Sequence, residues 1–194
     1  MNLEESVNKI KQKIKDSYHK RLVRLGIRNN EFKPRDSENK DYKKAKATIE
    51  AIMEDTHDYD EAREEYLDEV TFTLFNRIAG IKVMESEKRH LIPEVIQIRA
   101  QHGDKSFAHN VWLDEHPAKS SKTLEGLEYF LRDKFKELSD ELPIYSKYHP
   151  FDLIPEVHDI KDIITIFNEE ISLDDWKKDD ILGWLYESYN KKDY

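Results

Sequence analysis

The chain has no cysteine among its 194 residues. Disulfides and thiolate-held metal sites are therefore excluded, as fits a protein of the cytoplasm. Glycine is scarce, at five, and proline is held to six. So few glycines leave no backbone cradle for phosphates. Neither G-x-G-x-x-G, G-x-x-x-x-G-K, G-x-S-x-G nor H-E-x-x-H occurs anywhere. No run approaches the ~18 apolar residues a membrane-spanning helix requires. The first residues, MNLEESVNKIKQKIKD, are too polar for a secretory signal. Strict apolar–polar alternation is rare, which leaves helix as the default.

Charge is abundant, at 38%, and unevenly placed. Residues 1–46 hold 14 Lys and Arg against 7 Asp and Glu, and the remainder holds 18 against 34. The pattern is a basic N-terminal helix or arm (1–30) joined to an acidic helical body (31–194). The excess positive charge either meets a polyanion such as nucleic acid or folds back on the acidic body. Lys11, Lys15, Arg21 and Arg24 are the candidate phosphate contacts.

The periodicity predicts an all-α protein, an irregular multi-helix bundle around a buried helix over 60–86 with a proline-rich strap over 139–156. The stretch YLDEVTFTLFNRIAGIKVMES (66–86) carries apolar residues on two flanks, too wide a stripe for a surface helix. Within it, Gly80 implies close approach of a neighbour. Asn76 and Arg77 stand beside the core face, where Arg77 either pairs with a carboxylate or acts as a buried polar anchor. A first helix is expected over 3–25, with Gly26 as its C-cap and Leu3, Val7, Ile10, Ile14, Tyr18, Leu22 and Leu25 inward. A second is expected over 38–54, with Asp58 or Asp60 capping the central one. The central element ends at Leu91-Ile92-Pro93. An amphipathic helix over 121–138 takes Ser121 or Thr123 as its cap, with Glu125 closing a capping box. The strap, SDELPIYSKYHPFDLIPE, is too apolar for a free linker and lies against the body. Helices over 157–170 and from Ser172 onward complete the chain, and Gly183 in the last implies another close contact.

His102, His109 and His116 fall seven apart, with Gly103 and Pro117 breaking any single helix that would align them. Metal-binding pairs on helices sit three or four apart, so these three read as packed or surface histidines. The acidic turn 54–60 lacks the spacing and central glycine of a calcium loop. These residues point to a binding or structural role rather than catalysis.

LFNRIAGIKVMES (74–86), and the run from FDLIPEVHDIKDIITIFNEE through LDDWKKDDILGWLYESYN (151–190), resemble the N-terminal region of the large adenine-specific DNA methyltransferases of bacteriophage-exclusion (BREX) and related restriction–modification systems. The resemblance rests on Leu74, Phe75, Asn76, Arg77, Met84 and Glu85, then on Trp176, Ile181, Leu182, Gly183, Trp184, Leu185 and Tyr186. It covers somewhat over a quarter of the chain. The family's glycine-containing S-adenosylmethionine loop and its Asn/Asp-Pro-Pro-Tyr/Phe motif, which holds a flipped adenine, are missing here. The resemblance therefore implies a non-catalytic helical head of such an enzyme, ending where the methyltransferase domain would begin. This chain would hold no cofactor, and the full-length enzyme would use S-adenosylmethionine. Its partners would be the C-terminal methyltransferase domain, other defence-system proteins and DNA through the first helix, with no membrane. Asn76, Arg77, Gly80, Trp176, Gly183 and Trp184 would be its structural signature. The alternative is a stand-alone acidic helical module for protein–protein interaction.

Overall fold

The computed structural model describes residues 2–191. Its axis is helix α3, Tyr59–Met84, about 39 Å long at 1.5 Å per residue. Asp58 starts it by accepting the Glu61 amide at 2.9 Å, and Asp60 and Glu61 place negative charge at the positive end of the helix dipole. Buried side chains surround it, from Ala62 and Tyr66 to Ala79 and Ile81. Thr71 and Thr73 fit this apolar setting because each hydroxyl donates to the carbonyl four residues back, at 2.7 and 2.8 Å. The helix is thus enclosed on most sides, as its double apolar flank predicts.

Helix α1, Leu3–Leu25, lies along α3 and along the later helices Ile160–Glu170 and Ile181–Asn190. Most of its heptad-like row is buried: Val7, Ile10, Ile14 and Leu22 expose nothing to solvent, whereas Leu3, also expected inward, is half-buried at the start of the helix. Gly26 ends it at φ 90°, and a Cβ there would fall 2.4 Å from the Pro34 Cα, so only glycine fits. Helix α2, Lys40–Thr56, is capped by Asn39, packs on α3 and buries Tyr42, Ala45 and Ile49. The remaining helices are α4 (Phe107–Glu115), α5 (Leu127–Ser139), α6 (Ile160–Glu170), α7 (Leu173–Trp176) and α8 (Ile181–Asn190). Among the described residues there is no strand beyond one isolated bridge, Ile27 to Phe32, and no helix is long and apolar enough to cross a membrane.

Four expectations need correction. The central helix stops at Met84, well before Leu91, because Glu85 turns the chain and binds the segment that follows. The helix expected over 121–138 starts only at Leu127: Leu124 and Glu125 are left-handed at φ 53°, so neither Ser121 nor Thr123 caps it. The last helix is two. Ser172 does cap by accepting the Asp175 amide at 3.1 Å, but the helix it starts ends at Trp176 and a turn separates it from α8. Gly183 has nothing within 4 Å of an added Cβ, so no neighbour packs against it. The shortfall at 157–159, a 3-10 turn before α6, is a matter of one turn.

The strap does lie on the body. Tyr145, Leu153 and Ile154 are buried, whereas Tyr148 stands out in solvent. The Tyr18 hydroxyl donates to the Leu153 carbonyl at 2.5 Å, and Lys44 donates to the Lys147 carbonyl at 2.8 Å. Close approach at Gly80 is real as well: its added Cβ would lie 2.7 Å from the Tyr145 hydroxyl, which donates to the Arg77 carbonyl at 2.6 Å. Gly80→Ala gains about 1 kcal/mol of helix propensity but forces that buried tyrosine aside. A net loss of about 1–2 kcal/mol is expected in urea unfolding, and less when Tyr145→Phe removes the hydroxyl first. A variant as stable as the parent would contradict the packing at this point.

Candidate functional site

Each of the four cations proposed to meet phosphates has a partner within the chain. The Lys11 ammonium donates to the Tyr189 carbonyl at 3.3 Å and sits 4.3 Å from the centre of that tyrosine ring. Lys15 lies 2.5 Å from Glu64 and 2.9 Å from Asp68, and their hydrogen bonds raise its pKa against the opposing effect of burial. Arg21 meets Asp41 at 2.8 Å, and Arg24 meets the buried carboxylate of Glu156 at 3.2 Å. Lys13 and Lys20 follow suit with Asp162 and Asp159. Such rim pairs stabilise by only about 0–1 kcal/mol each. Together they direct the basic row of α1 at acidic side chains of α2, α3, the start of α6 and the strap.

The residues of the resemblance gather at three places. At the first, Arg77 is almost wholly buried and donates through Nε to the Ile144 carbonyl at 2.7 Å and through Nη2 to the Ser146 carbonyl at 3.2 Å. Its Nη1 reaches the Asp152 carboxylate at 2.6 Å. Both readings of this arginine hold, since it is paired and it anchors the strap to α3. Its neighbour Asn76 is half-buried, with an amide oxygen that has no partner among the described residues.

The second place is the C-terminal end of α3. Glu85 is buried and its two oxygens accept three consecutive backbone amides: Val95 at 2.5 Å, Ile96 at 2.9 Å and Gln97 at 2.8 Å. Lys82, equally buried, donates to Gln97 Oε1 at 2.6 Å and Asn168 Oδ1 at 2.7 Å, and lies 3.7 Å from Glu85. Asn168 closes the loop by donating to the Ile96 carbonyl at 2.9 Å. Burial pushes the Lys82 ammonium down to about 8, against the pull of Glu85, and pushes the Glu85 carboxyl up. The Trp176 ring, buried beneath Lys82 at 5.7 Å, joins α7 to this network. The polar groups of Lys82, Glu85 and Asn168 face fixed partners, so the arrangement holds the 85–99 segment in place, while the buried Trp176 Nε1 has no partner among the described residues; the space beside the two charges, about 10 Å³, is too small for a substrate.

The third place is α8. Leu185 and Tyr189 face the core, with Tyr189 4.9 Å from Phe75, while Gly183 and Trp184 face outward. Trp184 remains 43% exposed, whereas Trp112 and Trp176 are buried.

The histidines share no ligand. His109 donates from Nε2 to the Glu125 carbonyl at 2.8 Å and stacks on Phe130, and His116 stacks on Trp112. His102 lies beside Phe107. Among the described residues no group of three His, Asp or Glu could hold a metal ion. Sequence reasoning passed over Lys82 and Glu85 as functional pairs, although a lysine inside the apolar run of α3 is itself a signal for a buried partner. Asp152 and Asn168 carry no such signal.

Against protein-family models, curated proteins and solved structures, the chain gives no match.

Proposed function

We propose that the chain is a non-catalytic helical domain of an adenine-specific DNA methyltransferase of phage-defence or restriction–modification type. In this reading it works in the cytoplasm by docking on the catalytic domain and on partner proteins of the defence system. DNA contact through α1 is the weaker part of the reading, because each candidate cation would have to leave an internal partner to reach a phosphate. The observation that carries the docking role is the Gly183–Trp184 face of α8. The stretch that carries the resemblance leaves a tryptophan half in solvent beside a glycine with open space around it. Tryptophan on an otherwise polar surface is a favoured interface anchor. In this reading S-adenosylmethionine belongs to the catalytic domain, and the chain alone is expected to transfer no methyl group.

Tryptophan emission tests the docking face directly. Adding the catalytic domain of such an enzyme, made free of tryptophan, should shift the emission to the blue as Trp184 is covered. Trp184→Ala should abolish the shift and leave unfolding within about 0.5 kcal/mol of the parent. An unchanged spectrum at saturating partner would remove the docking role.

A second reading, an acidic module that presents carboxylates to a basic partner, is favoured by the turn between α2 and α3. There Glu54, Asp55, Asp60, Glu61 and Glu65 are exposed and carry no ion pair among the described residues. Binding of a basic peptide that depends on these five, with no effect of Trp184→Ala, would select it.

A further inference from the structure

Ser-Ser-Lys-Thr-Leu-Glu-Gly (120–126) has the look of a helix start, yet Leu124, Glu125 and Gly126 take left-handed conformations in succession, at φ 53°, 53° and 71°. For an L-residue that conformation crowds Cβ against the next carbonyl, so two non-glycine residues in a row need outside support. The support is visible. The Glu125 carbonyl accepts from the buried His109 ring, and the Glu125 carboxylate pairs with Lys105 at 2.6 Å. Burial lowers the His109 pKa, which keeps the ring neutral, with its proton on the nitrogen that faces the carbonyl.

The turn forms one wall of a cleft of about 320 Å³. That volume is at the small end of the range for small-molecule sites, roughly 300–1,000 Å³. The other walls are apolar: Ile96 and Ile98 from the segment held by Glu85, Leu127 from α5 and Ile164 from α6. Two hydrogen-bond donors line the cleft with capacity to spare. Ser106, nearly fully buried, accepts the His109 amide at 3.1 Å, and its own hydroxyl hydrogen has no acceptor among the described residues. Lys161 donates to the Asp104 carbonyl and makes no ion pair with a carboxylate among the described residues, unlike Lys105, which sits between Asp104 and Glu125. Lys105 bridges both acidic side chains at the rim, so two carboxylates and two ammonium groups balance there, and Lys161 is the cation whose ammonium no carboxylate holds among the described residues.

We propose that this cleft binds a small amphipathic carboxylate, its aliphatic end against Ile96, Ile98, Leu127 and Ile164 and its anionic end on Lys161 and Ser106. The site stands apart from the Gly183–Trp184 face and does not depend on the docking role. Titration calorimetry of the whole chain with sodium octanoate, octan-1-ol and octylammonium chloride tests it. Octanoate is expected to bind one site saturably at millimolar concentration or below, more tightly than the alcohol, and the amine not at all. Lys161→Gln should weaken octanoate about ten-fold, as loss of a hydrogen bond to a charged group does, and leave the alcohol unchanged. Ile98→Trp, which fills the cleft from its half-buried side, should abolish both. Absence of saturable octanoate binding would overturn the proposal, as would equal affinity for octanoate and octan-1-ol. So would undiminished octanoate binding by either variant; Lys161 lies on the rim, so its variant remains informative if Ile98→Trp fails to fold.

Discussion

Arg77→Ala is expected to lower the unfolding free energy by about 3–5 kcal/mol, the range for breaking a buried ion pair by removing one partner. For a domain of this size that corresponds to a fall in Tm of roughly 6–20 °C. Three effects add up. The Asp152 carboxylate, only 18% exposed, keeps just the more distant Lys44 at 3.7 Å. The carbonyls of Ile144 and Ser146 lose their donor. The guanidinium, 5.1 Å from the Phe135 ring, also leaves a hole between α3 and α5. Asp152→Asn should cost less, because the amide oxygen still accepts from Arg77. A variant that also replaces Asp152 by leucine should recover part of the loss, since the uncompensated charge is then gone. Thermal unfolding by circular dichroism reads all three, and a shift of Arg77→Ala below about 2 °C would mean that the strap is not held here.

Glu85→Ala comes next in size, again about 3–5 kcal/mol, because it strands Lys82 and leaves three buried amides without an acceptor. The same network gives a pH signature. In the unfolded chain Lys82 titrates near the ordinary 10.5, and in the folded chain at about 8. Between those values the unfolded state binds more protons, so this group makes stability rise with pH, by at most roughly 1.4 kcal/mol per pH unit. Below pH 8 the penalty of the buried ammonium is fully present. Glu85, shifted upward, acts in the opposite sense. Its contribution is complete below the ordinary carboxylate range and is lost as pH rises through its folded value. Urea unfolding of the parent and of Lys82→Met at pH 7.5 and 9.5 reads the lysine by difference. The parent should gain on Lys82→Met over that interval, and a difference that does not move with pH would show Lys82 to be solvated.

Helices α1, α2 and α3 were legible because each carries an apolar stripe at helical spacing, joined by a glycine stop at Gly26 for α1 and a capping side chain at Asp58 for α3. The start of α5 was not, because Ser121 and Thr123 read as caps ahead of the apolar row that begins at Leu124. What overrides it is tertiary: His109 and Lys105 fix Glu125 in a conformation its own sequence disfavours. The division of α7 from α8 was hidden for a related reason, since the Asp-rich run between them reads equally well as the exposed face of one helix. Gly80 and Gly183 looked alike in sequence and differ in structure, one under Tyr145 and one facing open space, because a glycine does not state whether a neighbour is present. The polar networks were beyond reach: Arg77 and Asp152 stand 75 residues apart, and Lys82 and Asn168 stand 86 apart. Of the site, the cationic row of α1 could be read, but its direction could not. Whether such a row meets an outside polyanion or its own acidic body is decided by where Glu64, Asp68, Asp41 and Glu156 lie.

That direction is the central claim, and the salt dependence of DNA binding tests it most directly. Fluorescence anisotropy of a labelled duplex, measured at rising salt with the parent and with Lys11, Lys15, Arg21 and Arg24 all changed to glutamine, separates the two cases. If α1 is engaged within the chain, both proteins bind weakly with the same shallow slope, and the variant is distinguished only by its lower stability. Tight binding by the parent that falls steeply with salt, together with a variant slope flatter by about 3–4 units, would contradict the account.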